Sequence, residues 1–450
     1  MGHAEKARDF IMDRDRTAWH DRALWFVRQK RDLAARSVPE WERLRESAAR
    51  IKSHTLEHLA HYLELFEKNA IENGIEVYWA SSAREHNLIV SSILEEEGAT
   101  KVVKSKSMLT EECALNPWLE SKGVEVTDTD LGERIVQLAD DRPSHIVLPA
   151  IHLKKEDVSE IFARHLGTEP YNSDPKYLTR AARSHLRNKF LEADAAITGV
   201  NFALAEEGGI VVCTNEGNAD LGSSLPNLHI ACMGLEKVIP SKKELGVFTR
   251  LLARSATGQA ITAYTSHFMK PAPGHRLCVV IVDNGRSALL ASKHSSLLRC
   301  IRCGACMNTC PVYRRSGGHS YGTVVPGPIG SALAGARDME SHASLPSACT
   351  LCASCDNVCP VKIDLHRRIN EEREESIEMD SFAAKRRILK IASFFMRHPV
   401  LYRFSLKATR VMLGILPKSI VYNRYNVWGR DRQMPIPAKK SFSDIYRSMR

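Results

Sequence analysis

The sequence predicts an α/β domain with a largely parallel sheet, preceded by helices and followed by a smaller helical, cysteine-rich domain. Two observations predict this organisation. Short apolar strands alternate with helices between residues 74 and 285, which is typical of βαβ units. Eight of the twelve cysteines then fall in two copies of one spacing pattern between residues 300 and 360. A chain of 450 residues is also too long for one ordinary core.

Residues 1–73 are predicted to form a helical arm. Apolar residues recur at helical spacing in two segments, one around Leu24 and Val27 and a second that runs from Leu56 through Leu63 to Phe66. Pro39 lies between the two segments at a suitable helix start, and Gly74 ends the second one.

Residues 74–285 are predicted to form the α/β domain. Eight segments have the composition of strands: GIEVYWA, TKVVKSKS, GVEVTDT, SHIVLPA, GGIVVCTN, LHIACMG, AITAYTS and RLCVVIVDN. Helical patterns fill residues 82–97 and 132–141 between the first strands. Ligands of such sheets bind beside the carboxyl ends of the parallel strands.

Two polar segments follow strands and are candidates for ligand binding. Glu207, Asn215, Glu216 and Asn218 flank the strand in AEEGGIVVCTNEGNADL, where Asn and Glu side chains could bind a polar ligand. An ordinary polar turn explains the same residues equally well. For KSKSMLTEE, over residues 104–112, a solvated charged loop is the favoured interpretation. His86, His267 and His319 have no partner at a spacing that indicates a metal site or a catalytic triad.

The two cysteine runs carry the strongest functional signal in the chain. Each has the spacing Cys-x-x-Cys-x-x-Cys-x-x-x-Cys-Pro, which is the bacterial ferredoxin signature for [4Fe–4S] clusters. The first run is Cys300, Cys303, Cys306 and Cys310, and the second is Cys349, Cys352, Cys355 and Cys359. Structural zinc also binds paired cysteines, but it has no use for the additional spaced Cys-Pro.

Two clusters with crossed ligands follow from this signature, because the fourth cysteine of each run binds the other cluster. We therefore expect cluster one to use Cys300, Cys303, Cys306 and Cys359. Cluster two would use Cys349, Cys352, Cys355 and Cys310. The segment GGHSYGTVVPGPIGSALAGA between the runs is rich in Gly and Pro and is predicted to be an ordered loop. Residues 286–375 together form the predicted two-cluster, ferredoxin-like domain.

Residues 376–450 form a predicted basic helical tail. From Ala384 onward the chain contains sixteen Lys or Arg residues and only two acidic residues, Asp431 and Asp444, so this part alone carries a charge of +14. The formal charge of +10 for the whole chain therefore describes the tail and does not indicate nucleic-acid binding. The tail fits an acidic partner subunit or the anionic inner face of a membrane, and its aromatic residues slightly favour the partner.

The remaining composition indicates a cytoplasmic protein, with peripheral membrane contact through the tail as an open possibility. No apolar stretch is long enough to span a bilayer, and the first residues lack the apolar core of a secretory signal. No phosphate-binding loop, dinucleotide fingerprint or nucleophile elbow is present. The residues therefore identify no catalytic set, and whether the chain is itself an enzyme stays open.

Several segments, taken in order, resemble the lactate utilization protein B family, the iron–sulfur subunit of a bacterial L-lactate oxidation system. They are ALWFVRQKRDLA, HTLEHLAHYLELFEKNAIENG, KSKSMLTEE, LAEEGGIVVCTNEGNADL, LPNLHIACMGLEKVIP and the cysteine runs with GGHSYG and PGPIG between them. The resemblance implies that residues 74–285 are a lactate-utilization domain, similar to sugar-isomerase and CoA-transferase folds. It also implies partner proteins, one of them cysteine-rich and related to heterodisulfide reductase subunits.

The function implied by this resemblance is electron transfer in the oxidation of L-lactate to pyruvate, with an acceptor that the sequence does not identify. Two other functions stay open. The α/β domain could itself oxidise a hydroxy acid, or the protein could be a scaffold whose clusters sense redox state. All eight cluster ligands of the family fall on the eight cysteines of the two runs.

Overall fold

A computed structural model of the chain describes residues 2–379, 383–415, 417, 438 and 440–449. The chain divides into two compact units, residues 1–373 and 374–450. The first unit contains the α/β domain and both cysteine runs, and the second contains the described part of the basic tail.

The chain begins with helices, as predicted for residues 1–73. They are α1 (His3–Lys6), α2 (Arg8–Met12), α3 (Arg14–Arg36), α4 (Trp41–Glu57) and α5 (Leu59–Glu72). The Asp13 carboxylate accepts a hydrogen bond from Arg16 N and so caps α3. The single helix expected around Leu56 is interrupted at His58, which separates α4 from α5. Gly74 follows α5 with φ +82°, a conformation that favours glycine.

Ten strands form two sheets. They are β1 (Glu76–Ala80), β2 (Lys101–Lys104), β3 (Glu125–Asp128), β4 (Ala195–Gly199), β5 (Phe202–Leu204), β6 (Gly209–Thr214), β7 (Leu228–Gly234), β8 (Val238–Ile239), β9 (Tyr264–Phe268) and β10 (Arg276–Val282). The larger sheet has the order β1-β10-β7-β4-β2-β3, and all its neighbours are parallel. Ile230 of β7 lies opposite Cys278 on one side and Ile197 on the other. The prediction of a largely parallel sheet is confirmed.

A second sheet, of order β8-β5-β6-β9, was not predicted. Its strands are short, and β6 pairs antiparallel with both β5 and β9. One predicted strand is wrong, because SHIVLPA is an irregular loop. In this loop Ser144 N donates to Pro149 O, while Val147 N and Leu148 N donate to His145 Nδ1. These contacts use backbone groups that a sheet would need.

Helices cover the sheets and connect their strands. They are α6 (Ala83–Glu96), α7 (Met108–Glu112), α8 (Leu115–Glu120), α9 (Leu131–Leu138), α10 (Lys155–Leu166), α11 (Pro175–Leu191), α12 (Asn218–Ser224), α13 (Lys242–Ala256) and α14 (Arg286–Leu290). Because the strands of the larger sheet are parallel, the loops after β2, β4, β7 and β10 all lie at one edge.

The cysteine-rich part contains short helices and one longer one. They are α15 (Ala305–Thr309), α16 (Pro311–Ser316), α17 (Gly327–Arg337), α18 (Met339–His342), α19 (Ser344–Ala348), α20 (Ser354–Val358) and α21 (Leu365–Glu378). The loop predicted between the runs is wrong over α17, which has eleven residues. Its three glycines, Gly327, Gly330 and Gly335, are all buried, so packing outweighs their poor helix propensity.

One hydrophobic core joins the N-terminal helices to the cysteine runs. Leu24 of α3 and Trp41 at the start of α4 belong to the same buried cluster as Phe248 of α13, Cys303 and Val358. The domain boundaries at residues 73, 285 and 375 stay a prediction.

The described tail contains α22 (Ala383–Arg397), α23 (Pro399–Ile415) and α24 (Phe442–Ser448). The predicted helices around Phe394 and from Val400 onward are confirmed. Among the described residues, no helix is long and apolar enough to cross a membrane. Asp431, one of the two acidic residues counted in the tail, lies outside the described residues.

Candidate functional site

The two cysteine runs fold in the same way. Arg302 and Leu351 occupy equivalent positions and have φ values of +57° and +54°. In each run, the N–H of this residue donates to the sulfur two positions earlier, over 3.4 Å to Cys300 Sγ and 3.3 Å to Cys349 Sγ. These turns aim backbone donors at the sulfurs, an arrangement that stabilises thiolate charge.

Each run continues into a short helix that ends at its fourth cysteine. Helices α15 and α20 begin after Gly304 and Ala353, which both have positive φ values. Their C-terminal flanking residues are Cys310 and Cys359, and each of these sulfurs also accepts a backbone N–H, from Tyr313 over 3.5 Å and from Ile363 over 3.4 Å. The repeated spacing in the sequence therefore corresponds to a repeated backbone geometry.

The fourth cysteine of each run lies near cysteines of the other run. Cys359 lines a small apolar cavity together with three cysteines of the first run: Cys300, Cys303 and Cys306. Burial raises the pKa of the Cys359 thiol to about 11, and nearby Cys300 adds to the shift. In the same way, burial raises the pKa of Cys310 to about 11, with further contributions from Cys349 and Cys352 of the second run.

This donor set fits an iron–sulfur group. Three of the four thiols that share the apolar cavity, those of Cys303, Cys306 and Cys359, resist losing their protons in the absence of a cation, because burial raises the pKa of each. A cluster with cysteine ligands supplies that positive charge and requires four thiolates.

Arginine side chains hold the second run in place. Arg45 of α4 donates to Cys359 O over 2.9 Å and to Asp356 O over 3.0 Å. Arg373 of α21 donates to Cys349 O and to Pro346 O. Both ends of the run are therefore anchored through backbone carbonyls, which leaves the sulfurs free to bind a ligand.

A second, larger cavity of about 310 Å³ lies at the carboxyl edge of the parallel sheet. Its wall combines the loops after β2, β4 and β7 with the start of the first cysteine run, and Cys303 lines both cavities. The charged residues in this wall are Lys106, Glu112, Asp130, Glu216, Glu236, Lys237, Arg286 and Arg302.

Three of the four tentative ligand residues lie in this wall. Asn215, Glu216 and Asn218 line the cavity, whereas Glu207 does not. The Glu207 carboxylate instead accepts hydrogen bonds from Lys242 N, over 3.0 and 3.1 Å, at the start of α13. The side chain of Asn215 accepts from Ala263 N and that of Glu216 from Leu131 N, so both also hold the protein backbone.

A buried ion cluster forms the floor of this cavity. Arg286 donates to Glu236 over 2.7 Å and to Glu112 over 2.9 Å, and Arg302 donates to the other Glu112 oxygen over 3.2 Å. Burial alone would raise the pKa of Glu236, but Arg286 and Lys237 hold it at about 2. Sequence reasoning missed this cluster, because its members lie far apart in the chain and show no motif.

The favoured interpretation of KSKSMLTEE as a solvated loop is wrong. Lys104 is fully buried, and its ammonium lies 2.8 Å from Asp128 Oδ1 and 3.1 Å from Glu111 Oε1. Burial would lower the pKa of Lys104, but these two carboxylates raise it well above its usual value. The following residues, Lys106 among them, line the larger cavity. The sequence did contain a signal for this buried ion pair, because two lysines and two glutamates occur together in KSKSMLTEE, at the end of a predicted strand.

Of the three histidines considered earlier, His319 lies near a carboxylate and a second histidine. His319 Nε2 lies 3.8 Å from Asp141 Oδ1, and His152 Nε2 lies 3.0 Å from Asp141 Oδ2. The same His319 nitrogen lies 2.7 Å from Arg142 O, so it already bonds to the backbone. These contacts join the loop around Asp141 to the segment between the cysteine runs.

Comparison with known proteins gives two family matches. The profile of the LUD domain matches residues 63–284, and that of the 4Fe-4S dicluster domain matches residues 296–363. Two similar proteins, both named lactate utilization protein B, come from Shouchella clausii and Geobacillus thermodenitrificans. The first is 41% identical and the second 43%, over 94% and 91% of this chain and 91% and 88% of their own lengths. A DUF162 family protein from Deinococcus radiodurans matches 50% of this chain and 98% of its own, with 16% identity and a TM-score of 0.29.

Proposed function

This chain belongs to the lactate utilization protein B family, and on that premise we propose that it relays electrons through two [4Fe–4S] clusters during the oxidation of L-lactate to pyruvate. The chain has an iron–sulfur role in lactate utilization and carries two such clusters, as its dicluster domain indicates. What we propose beyond this is that the clusters relay electrons, that the reaction is the oxidation of L-lactate to pyruvate, and that specific cysteines bind each cluster.

The observation that carries the proposal is the pairing of each fourth cysteine with the other run. We assign Cys300, Cys303, Cys306 and Cys359 to cluster one, and Cys349, Cys352, Cys355 and Cys310 to cluster two. The first cavity and the closeness of Cys310 to Cys349 and Cys352 support this crossed assignment. Crossed ligands place both clusters in one folded unit, and [4Fe–4S] clusters accept and release one electron each.

The protein residues around the sulfurs bind the clusters and exclude water from them. Cys303, Cys306, Cys355 and Cys359 are buried, and backbone N–H groups donate to Cys300, Cys310, Cys349 and Cys359. Hydrogen bonds to the sulfurs and burial are the two features by which a protein sets a cluster potential. The exposed Cys352 places the second run nearer to solvent, on the side where a partner could exchange electrons.

The tail is proposed to bind a partner subunit of the lactate utilization system, such as the cysteine-rich, heterodisulfide-reductase-like protein that the family resemblance implies. Helices α22 and α23 expose large apolar side chains, with Phe394 at 53% and Phe404 at 71%, among arginine and lysine residues. Such a surface fits an acidic partner with an apolar centre. Replacing both Phe394 and Phe404 by Ser should abolish co-purification of the partner. If it instead abolishes only sedimentation with anionic vesicles, the tail binds the membrane.

We also propose a cytoplasmic location. The eight cysteines of the two runs must stay reduced to act as ligands, and the buried Cys113, Cys232 and Cys278 are free thiols. Both properties suit a reducing compartment.

The proposed function is tested by growth on L-lactate. Replacing Cys303 or Cys352 by Ser in the chromosomal gene should abolish this growth, because each change removes a ligand of one cluster. The matched control is Cys113→Ala, which replaces a buried cysteine outside both runs. Normal growth of the Cys303→Ser and Cys352→Ser strains would contradict the electron relay.

A further inference from the structure

We propose that the 310 Å³ cavity at the carboxyl edge of the parallel sheet binds the carboxylate of the hydroxy acid or of its oxo-acid product, through Lys106, Lys237 and Arg302. The identity of the acid rests on the proposed function. The existence of a carboxylate site next to the first cysteine run rests on the structure of the cavity alone.

Two glycines allow close packing in the wall of this cavity. Gly199 and Gly234 end β4 and β7, and both line the cavity wall. A Cβ atom on Gly199 would lie 2.8 Å from Ser107 Cβ, and one on Gly234 would lie 2.3 Å from Glu236 Oε2. Any side chain at these two strand ends would therefore collide with the wall or displace the ion cluster below it.

The cavity has cationic groups that form no direct ion pair with the protein. Among the described residues, Lys106 and Lys237 make no ion pair, although both line the cavity. Arg302 uses Nη2 to bind Glu112, but its buried Nη1 has no hydrogen-bond partner in the described part of the chain. Leaving a buried donor unpaired costs free energy, and a bound carboxylate would provide the missing acceptor.

The acidic residues of the wall are already engaged. Glu112 and Glu236 bind Arg286, and Asp130 caps α9 by accepting a hydrogen bond from Glu133 N. The Glu216 carboxylate accepts a hydrogen bond from Leu131 N. The wall carries four basic and four acidic side chains. Among the described residues, the donors without an acceptor are the ammonium groups of Lys106 and Lys237 and Arg302 Nη1, which favours a ligand with acceptor oxygens such as a carboxylate.

The wall also contains apolar side chains, which would suit the other end of a small hydroxy acid. Met108, Ile146, Val147 and Leu252 line the cavity together with polar residues such as Asn201 and Thr262. A liquid water molecule takes about 30 Å³, so the cavity holds roughly ten. A three-carbon acid would share this space with several waters, and an acid with a longer apolar chain would also fit.

The position of Cys303 connects this cavity to the first cysteine run. Cys303 lines both cavities, so a ligand in the larger one would lie beside a proposed ligand of cluster one. Occupancy should therefore change the environment of cluster one without changing that of cluster two.

The test uses the full-length, cluster-loaded protein and isothermal titration with L-lactate and pyruvate, with uncharged lactamide as the matched probe. Both acids should bind, and lactamide should not. Replacing Lys106 or Lys237 by Met should weaken binding by roughly tenfold or more, which is the usual effect of losing a charge-assisted hydrogen bond. The control is Lys176→Met, at an exposed position of α11.

A second readout does not depend on the heat of binding. Adding pyruvate to the reduced protein should shift the paramagnetic resonance spectrum of one cluster, and the Lys106→Met/Lys237→Met double variant should lose this shift while keeping its iron content. Acid binding that is unchanged in the double variant, or equal binding of lactamide, would overturn the proposal.

The failure of this proposal is distinguishable from failure of the electron relay. If lactate still reduces the clusters of the double variant in the complete partner system, the relay stands and the cavity is not the site. If the cavity binds the acid but the clusters never change redox state during turnover, the relay fails and the binding site stands.

Discussion

Cys303 and Cys359 belong to different cysteine runs and line the same apolar cavity. Their proximity is the structural basis of the crossed assignment, because an uncrossed arrangement would keep Cys359 with Cys349, Cys352 and Cys355. The two runs thus form one interdependent unit, in which helices α15 and α20 lie against each other and Thr309 hydrogen-bonds to Ser354.

The crossed assignment predicts which single substitutions damage the same cluster. The Cys359→Ser protein should lose cluster one, so its residual paramagnetic resonance spectrum should match that of Cys303→Ser. The Cys310→Ser protein should likewise match Cys352→Ser. If Cys359→Ser instead matches Cys352→Ser, each run binds its own cluster and the crossed assignment is wrong.

The fold and the cysteine runs were predictable for different physical reasons. Fully buried parallel strands such as β7 and β10 are continuous apolar runs, which a sequence displays directly. The ligand spacing of the runs is local and equally visible. SHIVLPA has strand-like composition too, but His145 Nδ1 accepts two backbone N–H groups there, a contact that composition does not reveal.

The larger cavity was only partly predictable. Asn215, Glu216 and Asn218 follow a strand and could be selected on that basis. Lys237, Arg286 and Arg302 come from three distant segments and meet only because β7, β10 and the first cysteine run converge at one edge. Long-range convergence of this kind leaves no spacing pattern in a single sequence.

Lys104 is predicted to be essential for stability. Replacing it by Met leaves Asp128 and Glu111 without their buried cation, and removing one partner of a buried ion pair typically costs about 3–5 kcal/mol. Anaerobic denaturant unfolding of the cluster-loaded protein measures this loss. The matched control is Lys101→Met, whose pair with Glu192 is about half exposed and should contribute less than about 1 kcal/mol. Equal stability of the two variants would contradict the structural role of Lys104.

Glu133 is predicted to make the fold less stable as pH rises. Burial raises its pKa to about 8, with Lys104 opposing the shift and Asp128 reinforcing it, and neither carboxylate oxygen has a hydrogen-bond partner among the described residues. The folded protein therefore binds more protons than the unfolded chain, whose glutamate has an ordinary pKa near 4.5. The contribution of Glu133 to the free energy of unfolding is therefore fully present below pH 4.5 and is lost as the pH rises to about 8.

Replacing Glu133 by Gln should remove this pH dependence. Denaturant unfolding of the variant should give a free energy of unfolding close to that of the wild type at pH 5, and one higher by on the order of a few kcal/mol at pH 8. Glu156→Gln, at an exposed position of α10, is the control and should leave the pH profile unchanged. If the free energy of unfolding of the wild type and that of Glu133→Gln change with pH in the same way, the buried Glu133 carboxyl does not titrate as described.

Gly304 and Ala353 form a matched pair at equivalent positions of the two runs. A Cβ atom on Gly304 would lie 3.0 Å from His145 Cε1 and 3.1 Å from Val147 Cγ2, at a φ of +74°. Gly304→Ala should therefore add about 1–2 kcal/mol of backbone strain next to cluster one. A chelator should remove this cluster faster from the variant, which is measured as faster loss of visible absorbance. Ala353→Gly relieves a strained φ of +56° and should not accelerate this loss. Similar rates of loss for both variants would show that the contact with His145 is unimportant.

The most direct test of the electron relay is paramagnetic resonance of the intact system. The full-length, cluster-loaded protein is mixed with its partner subunits and L-lactate in the absence of other reductants, and samples are frozen during turnover. We predict that the signals of reduced [4Fe–4S] clusters appear, and that they disappear when the physiological acceptor is added. Lactate oxidation that proceeds while both clusters of this chain stay in one redox state would contradict the account.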